Sequence, residues 1–113
     1  MRFRGVFTAL VTPMQGGSID EGGLRTLARK QLEAGINGLV VNGSTGEAAT
    51  LTDEEQAHTV ALVVDEVLGR VPVIAGVGAR STHGAITQAH AAQKAGADAL
   101  LVVTPAYNKP TQQ

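Results

Sequence analysis

The chain has no cysteine, which removes disulfides, thiolate metal sites and cysteine nucleophiles together. That absence is compatible with a reducing cytoplasm, the expected location. There is no tryptophan, and Phe3, Phe7 and Tyr107 are the only other aromatics. Charge is also scarce in balance: nine basic and ten acidic side chains give a net charge of −1. No basic patch points to nucleic acid and no acidic tail to a basic partner. Arg2 and Arg4 lie close together but serve more simply to solvate the start of a strand. No apolar run approaches the roughly 18 residues of a membrane span. The segment from Met1 to Val11 imitates a signal peptide only faintly. Thr8 interrupts its short apolar run, and Thr12-Pro13 follows where a small-residue cleavage site would stand.

Ala, Val, Leu and Gly fill the rest, a composition suited to parallel strands covered by helices. Strand-like and helical patterns alternate along the chain. Val6 to Val11 reads as the first strand. Asp20 caps a helix with Leu24, Leu27, Ala28 and Leu32 on one face, and Gly35 stands where a left-handed terminal residue belongs. Leu39 to Val41 is the second strand. Thr52-Asp53-Glu54-Glu55 is a capping box. Its helix presents Val60, Ala61, Val64, Val67 and Leu68 and stops at Gly69. Val71 to Ala75 is the third strand, with Pro72 early in it where a missing N–H costs least. Ser81 or Thr82 caps a third helix carrying Ala85, Ile86, Ala89, Ala92 and Ala95, which Gly96 ends. Ala99 to Val103 is the fourth strand.

An internal echo supports this layout. Ala34-Gly35-Ile36-Asn37-Gly38-Leu39-Val40-Val41 parallels Ala95-Gly96-Ala97-Asp98-Ala99-Leu100-Leu101-Val102. Repeated strand–helix units imply parallel pairing with right-handed crossovers. The fold class is therefore α/β, in the order β-α-β-α-β-α-β. A (β/α)8 barrel typically needs about 250 residues, so residues 1–113 are expected to form a single partial domain, its N-terminal half.

Two loops follow strand ends on the face where such barrels carry their chemistry. The first is Asn42-Gly43-Ser44-Thr45-Gly46-Glu47. Its flexible backbone, two hydroxyls and exposed N–H groups before a helix can hold a carboxylate or phosphate. The same residues would also make an ordinary polar turn, and the Walker pattern is absent. The second loop, Thr104 to Gln112, holds Tyr107 between Pro105 and Pro110. That phenol can relay a proton given a hydroxyl partner, or simply anchor the loop.

The other reactive side chains carry less. Lys30 and Lys94 fall on predicted helices, and Lys109 lies in a loop. None has the desolvating pocket that a Schiff-base lysine requires. His58, His83 and His90 lack metal-ligand spacing. Asp53, Glu54 and Glu55 suit the first turn of a helix. Gly76-Val77-Gly78 does not complete a dinucleotide fingerprint.

Taken together, the segments Thr8 to Pro13, Gly43 to Glu47, Ile74 to Gly78 and Thr104 to Pro110 resemble the N-terminal part of the dihydrodipicolinate synthase family. These enzymes stand among the class I pyruvate aldolases, with N-acetylneuraminate lyase. Asn108-Lys109-Pro110 after the tyrosine favours the synthases. The resemblance implies a (β/α)8 barrel that condenses pyruvate with aspartate 4-semialdehyde in the diaminopimelate and lysine pathway. Pyruvate would be held as a lysine imine, with no metal or organic cofactor. It implies that Thr45 binds the pyruvate carboxylate. Ser44, where the family often has threonine, would join a proton relay that Tyr107 completes from a neighbouring subunit of a homodimer or homotetramer.

The resemblance places the imine-forming lysine and a second relay tyrosine beyond residue 113, so the chain is expected to be inactive alone. Ala106 stands where an aromatic residue is common. Family members inhibited by lysine use positions that here hold Asp53, Gln56, Arg80, Gly84 and Ala106. This set lacks an aromatic platform, so lysine inhibition is expected to be weak. Two other readings fit the residues: a pyruvate-dependent aldolase acting on a sugar acid or sialic acid, and a non-catalytic half-barrel.

Overall fold

The computed structural model describes residues 3–79, 81–105, 109 and 111. In chain order the elements are β1 (Phe7–Ala9), β2 (Met14–Gln15), β3 (Ser18–Ile19), α1 (Glu21–Glu33), β4 (Gly38–Val41), α2 (Asp53–Val67), β5 (Val73–Val77), α3 (Thr82–Lys94) and β6 (Ala99–Val102). Strands β1, β4, β5 and β6 form one parallel sheet in that order. This is the expected alternation, with one element that periodicity does not reveal. β2 and β3 make a two-residue antiparallel hairpin turned by Gly16 and Gly17, whose φ angles are +59° and +81°. Both values suit the turn that matches strand twist.

Caps behave as their chemistry dictates. Asp20 accepts the Gly23 N–H at 2.9 Å. Thr52 and Glu55 exchange both bonds of the capping box. Ser81, rather than Thr82, caps α3 by accepting the Gly84 N–H at 3.1 Å.

The core lies between the helices and one sheet face. Leu39 and Val41 of β4 and Val73, Ala75 and Val77 of β5 project into it. They meet Leu24 and Ala28 of α1, Val60, Val63 and Val67 of α2, and Ala92 of α3. The alternation of a strand sends Val40 and Ile74, which are register partners, to the opposite face. On β1 the Phe7 ring lies over Gly38, its partner on β4, where a Cβ would come within 2.3 Å of the ring.

Several boundaries and burial assignments differ from expectation. β1 is confined to Phe7–Ala9, with Val6 exposed and Leu10 extending the ladder through a 2.9 Å bond from its N–H to the Val40 carbonyl. β5 starts at Val73 rather than Val71, because Pro72 has no N–H to give the ladder. It continues through Gly76 and Val77, which pair with Leu101 and Val102. On α2, Ala61 and Leu68 are exposed, while Thr59, Leu62 and Val63 are buried. The helix packs on α1 and α3 as well as on the sheet, which widens its buried arc. Leu68 ends it in a left-handed conformation with φ +53° that turns the side chain to solvent. Ile86 is also exposed, on a helix that packs chiefly on α2, β5 and β6.

The internal echo is structural. Asn37 Oδ1 accepts the Val6 N–H at 2.8 Å and Asp98 Oδ2 accepts the Val73 N–H at 2.9 Å. The N–H groups of Asn37 and Asp98 in turn donate to the Val6 and Val73 carbonyls. Each Asn or Asp therefore fixes a strand start against the strand before it in the sheet. Gly35 and Gly96 occupy the same left-handed position two residues earlier.

Between α1 and α2, Arg25 reaches Asp65 at 2.7 Å and Glu66 at 3.3 Å, and Arg29 reaches Glu66 at 2.8 Å. Arg29 first and Arg25 second hold the Glu66 carboxyl below the usual carboxylate range. The cluster's stabilising contribution is thus present at neutral pH and is withdrawn as acid protonates Glu66.

Candidate active site

All four strands of the sheet run the same way, so the segments after them gather at one end. The most defined is the turn after β4. It begins at Asn42, a buried residue with φ +59°. Asn42 Nδ2 donates to the Gln56 carbonyl at 2.8 Å, and Gln56 Nε2 donates to the Ala48 carbonyl at 2.9 Å. α2 therefore grips the turn at both ends. Within it, the Gly46 N–H donates to the Gly43 carbonyl at 3.1 Å and the Glu47 N–H to the Ser44 carbonyl at 3.0 Å. Thr12, buried after β1, donates its hydroxyl to the Gly46 carbonyl at 2.7 Å.

β5 supports the turn from its other side. Gly76 lies against the backbone of Asn42, and a Cβ there would sit 2.1 Å from the Asn42 carbonyl oxygen and 3.0 Å from the Gly43 nitrogen. Both neighbours are backbone atoms and cannot swing aside. Gly76→Ala is expected to cost about 3 kcal/mol or more. The check is soluble yield and thermal melting in any folded barrel that contains this segment.

These contacts leave Ser44 and Thr45 exposed at the tip. Among the described residues, neither of their backbone N–H groups has a protein acceptor. Two N–H groups without an acceptor among the described residues and two hydroxyls thus sit together on an exposed, braced turn. That arrangement suits a carboxylate or another small anion.

The source of this preference differs from the sequence expectation in one respect. The turn does not open directly into a long helix. The three-residue 3-10 turn Ala48–Thr50 and then Leu51 and Thr52 come before α2. The start of α2 is occupied by its capping box and by Asp53, Glu54 and Glu55. Any anion held here would therefore be held by the turn's own donors.

Ser44 and Thr45 are adjacent on this tip. Tyr107, the third expected site residue, lies outside the described residues, as do Arg80 and Ala106. Of the second loop, Thr104 is exposed and Pro105 half-buried. The exposed Lys30 and Lys94 fall in the last turns of α1 and α3. A helix joining parallel strands returns toward the strand starts, so both lysines lie at the end away from the turn. Lys109 is exposed. His58 pairs with Glu21 across α1 and α2, and His83 and His90 are exposed on α3. Among the described residues, no three His, Asp or Glu side chains are placed to share a metal ion.

A separate cleft between α2 and α3 is bordered by Asn42, Asp53, Gln56, Gly76 and Gln88. It encloses only about 40 Å³, too little for a substrate. Asp53 there accepts a 3.3 Å bond from Gln88.

Asn42, Gln56, Gly76 and Thr12 brace the turn, a part that pattern reading assigns to none of them. Of these, Thr12 had the clearest signal, a polar residue before proline at the end of an apolar strand.

The sequence matches the dihydrodipicolinate synthetase family over residues 2–113. It is 55% identical over 112 residues to the 4-hydroxy-tetrahydrodipicolinate synthase of Bradyrhizobium diazoefficiens, covering 99% of this chain and 38% of that protein. The Rhodopseudomonas palustris protein of the same name is 56% identical over 111 residues, covering 98% and 38%. Among solved structures, dihydrodipicolinate synthase from Aquifex aeolicus matches with a TM-score of 0.92 at 42% identity, covering 97% of this chain and 38% of that one. The Thermotoga maritima dihydrodipicolinate synthase gives 0.91 at 46% identity, covering 97% and 37%. The chain thus spans less than two fifths of the length of the relatives it matches. Its parallel sheet and helices are the N-terminal part of their (β/α)8 barrel.

Proposed function

The chain belongs to the dihydrodipicolinate synthetase family, and on that premise we propose that it carries the carboxylate-binding part of a pyruvate aldolase active site. Residues 1–113 are read as the N-terminal half of the barrel. The reaction is condensation of pyruvate with aspartate 4-semialdehyde to give 4-hydroxy-tetrahydrodipicolinate. The observation that carries this reading is the exposed Ser44–Thr45 tip, braced by Thr12, α2 and β5, with N–H groups that have no acceptor among the described residues, at the C-terminal end of parallel strands.

In this reading the Thr45 hydroxyl and N–H hold the pyruvate carboxylate. The ketone then faces a lysine amine contributed by the part of the barrel outside this chain, and loss of water gives the imine. Deprotonation of its methyl carbon yields the enamine that attacks the aldehyde of the second substrate, and the amino group of the adduct then displaces the lysine amine from the imine carbon as the ring closes. The Ser44 hydroxyl and the Tyr107 phenol pass protons to and from these centres, with Tyr107 entering from a neighbouring subunit of a homodimer or homotetramer. Neither step calls for a metal or an organic cofactor. The setting is cytoplasmic, as expected for an amino-acid biosynthetic enzyme.

The test is a chimeric barrel in which residues 1–113 replace the matching part of the Bradyrhizobium diazoefficiens enzyme. It is expected to melt cooperatively and to condense pyruvate with aspartate 4-semialdehyde. A chimera that folds but neither binds pyruvate nor turns over would refute the reading. The same chimera tests regulation. With Asp53, Gln56 and Gly84 at three of the positions noted above, and Asp53 already engaged by Gln88, lysine has little to bind. Micromolar lysine is expected to leave its rate unchanged, and strong inhibition in that range would contradict this.

A further inference from the structure

We propose that Thr12 is a positioning residue for the carboxylate site: its hydroxyl holds the Ser44–Thr45 turn in its binding shape. The inference rests on the functional reading above and adds a residue from a different strand.

Thr12 is 6% exposed, and its hydroxyl donates to the Gly46 carbonyl at 2.7 Å. Its own backbone is pinned on both sides. Before it, the Leu10 N–H bonds the Val40 carbonyl at 2.9 Å. After it, the Pro13 carbonyl accepts the Asp20 N–H at 2.8 Å, tying the segment to the cap of α1. Thr12 is therefore a fixed post, not a side chain that follows the turn.

The group it holds is a lever. The Gly46 carbonyl and the Glu47 N–H belong to one planar peptide unit. Thr12 grips the carbonyl end, while the Glu47 N–H donates to the Ser44 carbonyl at 3.0 Å. Rotation of that peptide would break both bonds together and release Ser44. Gly46 is itself tightly enclosed, since a Cβ would lie 3.1 Å from the Leu10 carbonyl and 3.2 Å from the Thr12 hydroxyl. Rotation of the Gly46–Glu47 peptide is therefore a route by which the turn can relax, and Thr12 opposes it.

Removing the hydroxyl leaves a buried carbonyl without a donor, which drives that rotation. The consequence is a misplaced pair of N–H groups at Ser44 and Thr45. The misplaced N–H groups weaken binding of the carboxylate, and a displaced Ser44 hydroxyl slows proton transfer, so the loss falls on both binding and the chemical step.

The experiment compares Thr12→Val and Thr12→Ser in the chimeric barrel. Valine keeps the shape and removes the donor; serine keeps the donor. Thr12→Val is expected to raise KM for pyruvate about tenfold and to lower kcat as well, because Ser44 moves with the turn, and Thr12→Ser to stay close to the parent. A Thr12→Val protein that melts at a lower temperature but keeps the parent KM would overturn the proposal, because that is what a purely structural role gives. Serine as impaired as valine would overturn it as well. Failure of the functional reading looks different: the parent chimera then binds no pyruvate before any Thr12 variant is compared.

Discussion

Sedimentation of the 113-residue chain expressed by itself is expected to show a broad spread of assemblies rather than one sharp monomer boundary. The sheet has two edges, β1 and β6, each paired on one side only among the described residues. At the β6 edge Leu100, Leu101, Val102 and Val103 are 38–59% exposed, and beside β1 Val6 and Val11 are 68% and 51% exposed. Unpaired N–H and carbonyl groups next to apolar side chains template further pairing. In the chimeric barrel both edges find partners, so discrete oligomers are expected there. A sharp monomer of the isolated chain with a cooperative melt would contradict this account of the edges.

In the chimera the neighbours Ser44 and Thr45 are expected to fail in different ways. Ser44→Ala removes the hydroxyl proposed as a proton relay while leaving the turn's N–H groups in place. A loss of about a hundredfold or more in kcat is expected, with little change in KM for pyruvate. Thr45→Val keeps the volume and the N–H but removes the hydroxyl proposed to bond the pyruvate carboxylate. KM for pyruvate is expected to rise by about ten- to a hundredfold. Steady-state kinetics with pyruvate varied separates the two. If both variants change only KM, the relay role of Ser44 is wrong.

The sequence made some of this legible because the signals are local. The cap at Asp20 and the box at Thr52–Glu55 need only a few adjacent residues, and both form as read. The Asn37 and Asp98 echo was visible as a repeat, although its purpose, fixing strand starts, appears only when strands are neighbours. Ser44 and Thr45 stood out because hydroxyls and glycines concentrate in one short turn. Their bracing did not, since Thr12 lies 34 residues from Gly46 and Gln56 lies 14 from Asn42. Gly76 looked like part of a weak nucleotide signal. Its actual constraint is steric and comes from a different strand. Leu68 was misplaced because its left-handed backbone ends the helix and turns the side chain to solvent, and the burial of Thr59 and Leu62 was missed because a regular helical stripe assumes one buried face, whereas α2 is covered from three directions.

The most direct test of the central claim, that this chain supplies the carboxylate site and another part of the barrel supplies the amine, is borohydride reduction in the presence of pyruvate. Intact mass and peptide mapping then locate the adduct. The chimeric barrel is expected to gain one adduct per chain, on a lysine outside residues 1–113, and to lose most of it in Thr45→Val at limiting pyruvate. The isolated chain is expected to gain none, because Lys30 and Lys94 lie at the far end of the strands and Lys109 is exposed. Stoichiometric labelling of Lys30, Lys94 or Lys109 would contradict the account.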